Sequence, residues 1–205
     1  MMNKEPNQNS TVYIVDDDQA SRHAMELLMR SVGLDYEIFH SGDEFLASHT
    51  NVRAGCLVLD IRMPGLGGLE LQEKLNELGS TLPIIFITGH GDVPMAVEAM
   101  QKGAVDFIQK PFRDQELLDQ ISEALKTDQQ RRSARDEKAE VLDRVEKLTK
   151  REREVMDLVI TGKPNKVIAY ELGVSQRTVE IHRARVMEKM EARSLADLVR
   201  MHLAI

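Results

Sequence analysis

Five short apolar runs, each followed by a stretch of helical periodicity, constrain this chain more than any other feature. TVYIVD (11–16), YEIF (36–39), CLVLD (56–60), PIIFIT (83–88) and VDFIQ (105–109) are rich in β-branched and aromatic residues. After the first run, Ala24, Leu27, Leu28 and Val32 recur at helical spacing and stop at Gly33. GDEFLAS suggests a short helix. LELQEKLNEL (69–78) places Leu71, Leu75 and Leu78 on one helical face, and VPMAVEAMQKG (93–103) reads as a helix ending at Gly103. A further helix beginning at Arg113 carries Leu117, Leu118, Ile121 and Leu125. The runs read VYIV and LVL, not apolar-polar-apolar, so both faces of each strand are expected to be covered. Right-handed crossovers then predict an α/β fold, a doubly wound five-stranded parallel sheet. In such a sheet ligands bind at the carboxyl ends of the strands, near the switch point.

What ends each run is therefore informative. The first ends in Asp16-Asp17-Asp18, the third in Asp60, the fourth in Thr88-Gly89, and the fifth is followed by Lys110-Pro111. With strand order 2-1-3-4-5, Asp16, Asp17 and Asp60 converge. Two carboxylates about 4 Å apart repel by roughly 4 kcal/mol at an effective dielectric near 20. A divalent cation reverses that sign, and hard oxygen ligands suit Mg2+. Lys110 supplies a second positive charge and Thr88 a hydroxyl donor. This is the apparatus of phosphoryl transfer, with the Asp60 carboxylate as a candidate nucleophile. Asp18 precedes a helix and reads as its N-cap.

The remainder of the chain is different. Residues 1–125 hold 9 Lys+Arg against 20 Asp+Glu, whereas residues 126–205 hold 18 against 14. That split suggests two domains with different partners. From Arg113 to Thr161 there is neither Gly nor Pro. The intervening DQQRRSARDEKAE is polar on all sides but rich in helix formers, so a long helix is preferred here over a solvated linker. Val141, Leu142, Val145 and Leu148 then resume an apolar stripe, suited to packing on the next domain or on a partner copy.

Beyond it, 148–162, 165–173, 175–190 and 194–203 read as four helices, with Ser175 and Ser194 as N-caps. Two short helices joined through Gly173-Val174 make a helix-turn-helix signature. On the third helix Val179, His182, Val186 and Met190 share the inner side. Arg177, Ile181, Ala184 and Glu188 lie opposite, a face suited to a major groove. Arg177, Glu180, Ile181 and Ala184 are candidates for reading bases. Gln176, Thr178, Arg183, Arg185 and Lys189, with Lys166 from the preceding helix, are candidates for phosphate contacts.

The opening stretch lacks the apolar core of a signal peptide. No apolar run approaches the roughly 20 residues of a membrane helix. The lone Cys56 stands in an apolar stretch and reads as packing. These features lead to the expectation of a cytoplasmic protein without a membrane partner.

VYIVDDD, VLDIRMPGLGGLEL, PIIFITGHGD and VDFIQKPF together resemble the receiver domain of two-component response regulators. The resemblance implies that Asp60 accepts a phosphoryl group from a histidine on a sensor kinase. It implies that Asp16, Asp17, Asp60 and the backbone carbonyl of Arg62 bind Mg2+, and that Thr88 and Lys110 contact the phosphoryl group. It further implies a cis Lys110-Pro111 bond, Phe107 as a switch aromatic answering Thr88, and dimerisation through residues 93–109 on phosphorylation. Arg62 and His90 match positions that influence the lifetime of the acyl phosphate. LTKREREVMDLV and NKVIAYELGVSQRTVEIHRARVMEKM resemble the LuxR-type DNA-binding domain, with Glu180 and Ala184 where some relatives are basic. That family binds double-stranded DNA as a dimer, with its last helix providing the dimer contact.

The two resemblances together point to the FixJ-like group. They imply a regulator of transcription, not an enzyme, with RNA polymerase as a further partner. The corresponding organisation is a disordered N-terminus (1–10), a receiver (11–126), a helical linker (127–144) and an all-α DNA-binding domain (145–205). Two other readings stand beside it: an Mg2+-dependent phosphohydrolase with an Asp nucleophile, and a regulator whose helix-turn-helix serves a protein partner.

Overall fold

The computed structural model describes residues 10–48, 54–89 and 93–205. Its described residues form a five-stranded parallel sheet in the order β2-β1-β3-β4-β5. The strands are β1 (Thr11–Val15), β2 (Tyr36–Phe39), β3 (Gly55–Asp60), β4 (Ile84–Thr88) and β5 (Asp106–Gln109). The expected alternation holds, with α1 (Gln19–Val32), α2 (Gly42–Ser48), α3 (Gly68–Glu77), α4 (Val93–Gln101) and α5 (Asp114–Glu146). The expected disordered stretch falls largely on residues 1–9, outside the described residues, whereas Ser10 is buried.

Two apolar layers cover the sheet. One gathers Tyr13, Val15, Leu57, Leu59 and Phe86 with Phe45, Leu71 and Leu75 from α2 and α3. The other gathers Val12, Ile14, Val58, Ile85 and Ile87 with Met25, Met29, Leu117 and Ile121 from α1 and α5. Alternate residues of one strand thus serve opposite layers, which is why the strands are apolar throughout. Each fully buried Leu or Ile contributes about 1.5–3 kcal/mol. In α1 the buried residues are Met25 and Met29, while Leu27 and Val32 are 51% and 44% exposed. The apolar face read from the sequence was misplaced around the helix: Ala24, Leu27 and Val32 are exposed, Leu28 is half-buried, and the two buried methionines were not part of it.

The chain divides into two compact units, one ending at Arg131 and the next beginning at Arg132. The helix α5 spans 33 residues and continues through that boundary. In the first unit, α5 is anchored by Leu117, Ile121 and Ala124 and by buried Asp128, whose Oδ2 accepts the Gly55 amide at 3.0 Å. In the second, Val141, Val145 and Leu148 pack with α6 (Lys150–Ile160), α7 (Asn165–Leu172), α8 (Gln176–Lys189) and α9 (Leu195–Leu203). The apolar stripe on α5 therefore closes the core of its own second unit.

Capping chemistry sets the helix starts. Thr149 and Glu152 form a reciprocal capping box at α6, and Ser175 and Ser194 cap α8 and α9. Gly173, at φ +64°, ends α7 in the left-handed region and turns the chain into α8.

Candidate functional site

The sheet register brings the acidic residues together. Val15 pairs with Leu59, so Asp16 and Asp60 leave neighbouring strands at the same level. One carboxylate oxygen from each of Asp16, Asp17 and Asp60 lies within 4.8 Å of the others. Asp16 is fully buried and Asp60 is 7% exposed, while Asp17 faces solvent. A cluster of hard oxygen donors with one solvent-facing member suits a magnesium ion, which keeps several waters.

Lys110 reaches this cluster from the loop after β5. Its Nζ donates to Asp16 Oδ2 at 2.7 Å and lies 3.5 Å from Asp60 Oδ1. The Lys110-Pro111 peptide is cis, as the resemblance implied. Asp16 is further held by three local donors. The Asp18 amide donates to Oδ1 at 2.8 Å, the Ser21 hydroxyl to Oδ2 at 2.6 Å, and the Arg22 guanidinium to its backbone carbonyl at 2.7 Å. Asp18 itself caps α1, accepting from the Ser21 amide at 2.6 Å. Asp60 is less well compensated. Burial pushes its carboxyl up to about 6 against the opposing pull of Lys110, with the Asp16 charge adding to the rise.

The glycines after β3 serve this geometry. A Cβ at Gly68 would stand 2.4 Å from the Asp60 carbonyl oxygen and 2.9 Å from Ile61 Cα. Only a bare backbone lets α3 start this close to the end of β3. Thr88 is 1% exposed at the end of β4, and half-buried Phe107 packs against the α2–α3 layer. Arg62 is exposed in the loop after β3. His90 lies outside the described residues. Ser21 and Arg22 were missed in the sequence. Their signal was placement in the first turn of α1, three and four residues after the Asp triplet.

The second unit presents α8 as a candidate DNA interface. Val179, Val186 and Met190 are buried, and half-buried His182 faces inward with them, its Nδ1 buried. Gln176, Arg177, Glu180, Ala184 and Arg185 are exposed, Ile181 is 43% exposed, and Lys166 is exposed on α7. Arg177 Nη1 lies 3.4 Å from Glu180 Oε2. Thr178 is half-buried, its hydroxyl 2.8 Å from Ser175 Oγ, and Arg183 donates to Asn165 Oδ1 at 3.0 Å. Lys189 has partners inside its own unit. Its ammonium donates to the buried Glu152 carboxylate at 2.6 Å and to the Lys147 carbonyl at 3.2 Å, so it serves the module's interior. The Lys189 ammonium and the Thr149 amide pull the Glu152 carboxyl down to about 2.

Comparison with known proteins agrees with both halves. The response regulator receiver domain model matches residues 12–122, and the model for bacterial regulatory proteins of the luxR family matches residues 146–202. Nodulation protein W of Bradyrhizobium diazoefficiens is 51% identical over 96% of this chain and 87% of its own. The response regulator protein TodT of Pseudomonas putida F1 is 49% identical over 93% of this chain and 84% of its own. The transcriptional regulatory protein FixJ of Rhizobium meliloti is 47% identical over 95% of each. Among solved structures, the response regulator StyR superposes with a TM-score of 0.88 at 44% identity, over 96% of this chain and 100% of that one.

Proposed function

The chain belongs to the response regulators that join a receiver domain to a LuxR-family DNA-binding module, and from that premise we propose that phosphorylation of Asp60 governs its hold on DNA. It is a response regulator, similar along nearly its full length to regulators of transcription. In this reading residues 11–126 are the receiver, 127–144 the connection and 145–205 the DNA-binding domain. The protein works in the cytoplasm as a switch, without turnover of a substrate.

One observation carries the reading: a buried, under-compensated carboxylate stands between two others and a lysine at the carboxyl end of the sheet. An Asp60 oxygen bonds to phosphorus as the P–N bond of a kinase phosphohistidine breaks, and the imidazole nitrogen leaves with the electron pair. Asp16, Asp17 and Asp60, with the Arg62 carbonyl, are the residues that would hold Mg2+. When bound, the ion neutralises phosphoryl oxygens. Lys110 is within reach of Asp60 and offers the same oxygens a second charge. Thr88 then turns toward the new oxygens and Phe107 follows it inward.

The surface that answers is α4 with β5. Val93, Val97 and Met100 are 76%, 48% and 45% exposed, an apolar face suited to a second copy. On α9, Leu203 is 78% exposed, which suits a contact between paired DNA-binding modules. Pairing brings two α8 helices to half-sites about one helical turn apart and raises affinity through linkage. Arg177, Glu180, Ile181 and Ala184 read bases, while Lys166, Gln176, Thr178, Arg183 and Arg185 fix register on phosphates. RNA polymerase is the partner at the bound promoter.

Duplex selection with the phosphorylated chain and with Asp60→Asn tests this. The phosphorylated form is expected to sediment as a dimer and enrich a two-half-site sequence. Equal enrichment by Asp60→Asn would sink the phosphorylation control. Rapid turnover of phosphomonoesters would instead make the chain a hydrolase, and duplex affinity indifferent to salt would argue for a protein output.

A further inference from the structure

Two side chains hold the Asp16 carboxylate, charged Lys110 and neutral Ser21. A carboxylate offers about four lone-pair sites. Three of those on Asp16 are taken: one by the Asp18 amide on Oδ1, and two by the Ser21 hydroxyl and Lys110 ammonium on Oδ2. Ser21 is half-buried in the first turn of α1, its amide already engaged by the Asp18 cap. Its hydroxyl, donating to Asp16 Oδ2, faces the acidic cluster. It also borders a cleft of about 310 Å³ shared with Met25, Leu28, Lys110 and Phe112.

We propose that Ser21 is a positioning residue for the metal site: its hydroxyl, bonded to Asp16 Oδ2, holds the Asp16 carboxylate in the orientation that accepts Mg2+ and limits the hold of Lys110 on that carboxylate. The proposal rests on the reading of Asp16, Asp17 and Asp60 as metal-binding. The reason is electrostatic. Lys110 carries the same sign of charge as the ion, so a strong Lys110–Asp16 pair opposes metal binding at that carboxylate. The Ser21 hydroxyl is uncharged and orients the same oxygen without that opposition. With the hydroxyl gone, Asp16 Oδ2 would be left to Lys110. Both effects, lost orientation and a tighter competing ion pair, weaken metal binding. Partners that orient metal ligands typically change affinity about 10–100-fold when removed.

The test uses the full chain, labelled with 15N and titrated with Mg2+ alone while the Asp17 and Asp18 amide shifts are followed. Ser21→Ala is expected to raise the apparent Kd about 10-fold. Alanine is a better helix former than serine, so α1 should persist. Ser21→Thr keeps the hydroxyl and is expected to restore the wild-type Kd. In a second measurement, Asp60 labelling by acetyl phosphate is followed against Mg2+ concentration. Ser21→Ala should move the half-saturation point upward and leave the plateau rate unchanged. An unchanged or lower Kd in Ser21→Ala, or no rescue by threonine, overturns the role of Ser21 alone. Absence of saturable shifts in the wild-type chain overturns the metal site with it.

Discussion

Two buried carboxylates, one in each unit, behave in opposite ways. Glu152 and Asp60 are 2% and 7% exposed. Glu152 has a lysine at 2.6 Å and the Thr149 amide at 2.9 Å, and its carboxyl is pulled down to about 2. Asp60 has a lysine only at 3.5 Å, because the ammonium is drawn to Asp16, and its carboxyl is pushed up to about 6. Burial raises the energy of both charges, so partners decide the sign. A fully partnered carboxylate stabilises its module. An under-partnered one in a cluster of ionisable groups marks a candidate functional site.

The largest expected effect that sharpens this contrast is at Asp60. Asp60→Asn should lose acetyl-phosphate labelling at that site completely, read by phosphate-affinity gel. It should also cost no stability in urea unfolding, since a poorly compensated charge is removed. A clear destabilisation would mean that Asp60 is a structural residue like Glu152.

Glu152→Gln should have the reverse character. Labelling of Asp60 should persist, while the DNA-binding unit loses about 2 kcal/mol, the scale of hydrogen bonds to charged groups. Helical circular dichroism in urea would register the loss.

The same pair predicts a pH dependence. Glu152 ionises more readily in the fold than in the unfolded chain, so its contribution is fully present above its ordinary value of about 4.5. It should fade as pH falls toward about 2. The difference in Tm between wild type and Glu152→Gln should narrow over that interval. A gap that stays constant would break the assignment of the effect to the ionised pair.

The smallest effect separates two basic residues of α8. Arg185→Ala should weaken duplex binding and reduce the salt slope by about 1. Lys189→Ala should leave the slope unchanged and lower stability instead, since its ammonium already serves Glu152.

The sequence carried a good deal of this unaided. Strand runs without alternation announced a sheet covered on both faces, and the residues closing those runs named the acidic cluster, because in a parallel sheet every strand tip points to one edge. Ser175, Ser194, Gly173 and the inner face of α8 were likewise legible, since caps and helical periodicity are local properties. Three things were not. Which apolar residues of α1 are buried depended on where the sheet lies beneath it. Lys189 could not be told from Arg185 until α6 brought Glu152 beside it. Lys110 favours Asp16 over Asp60, and Ser21 meets the same oxygen, because chain segments up to 94 residues apart in sequence converge there. Periodicity and capping act over a few residues, so a chain writes them openly. Competition among charges for one partner is settled only when distant segments share a small volume.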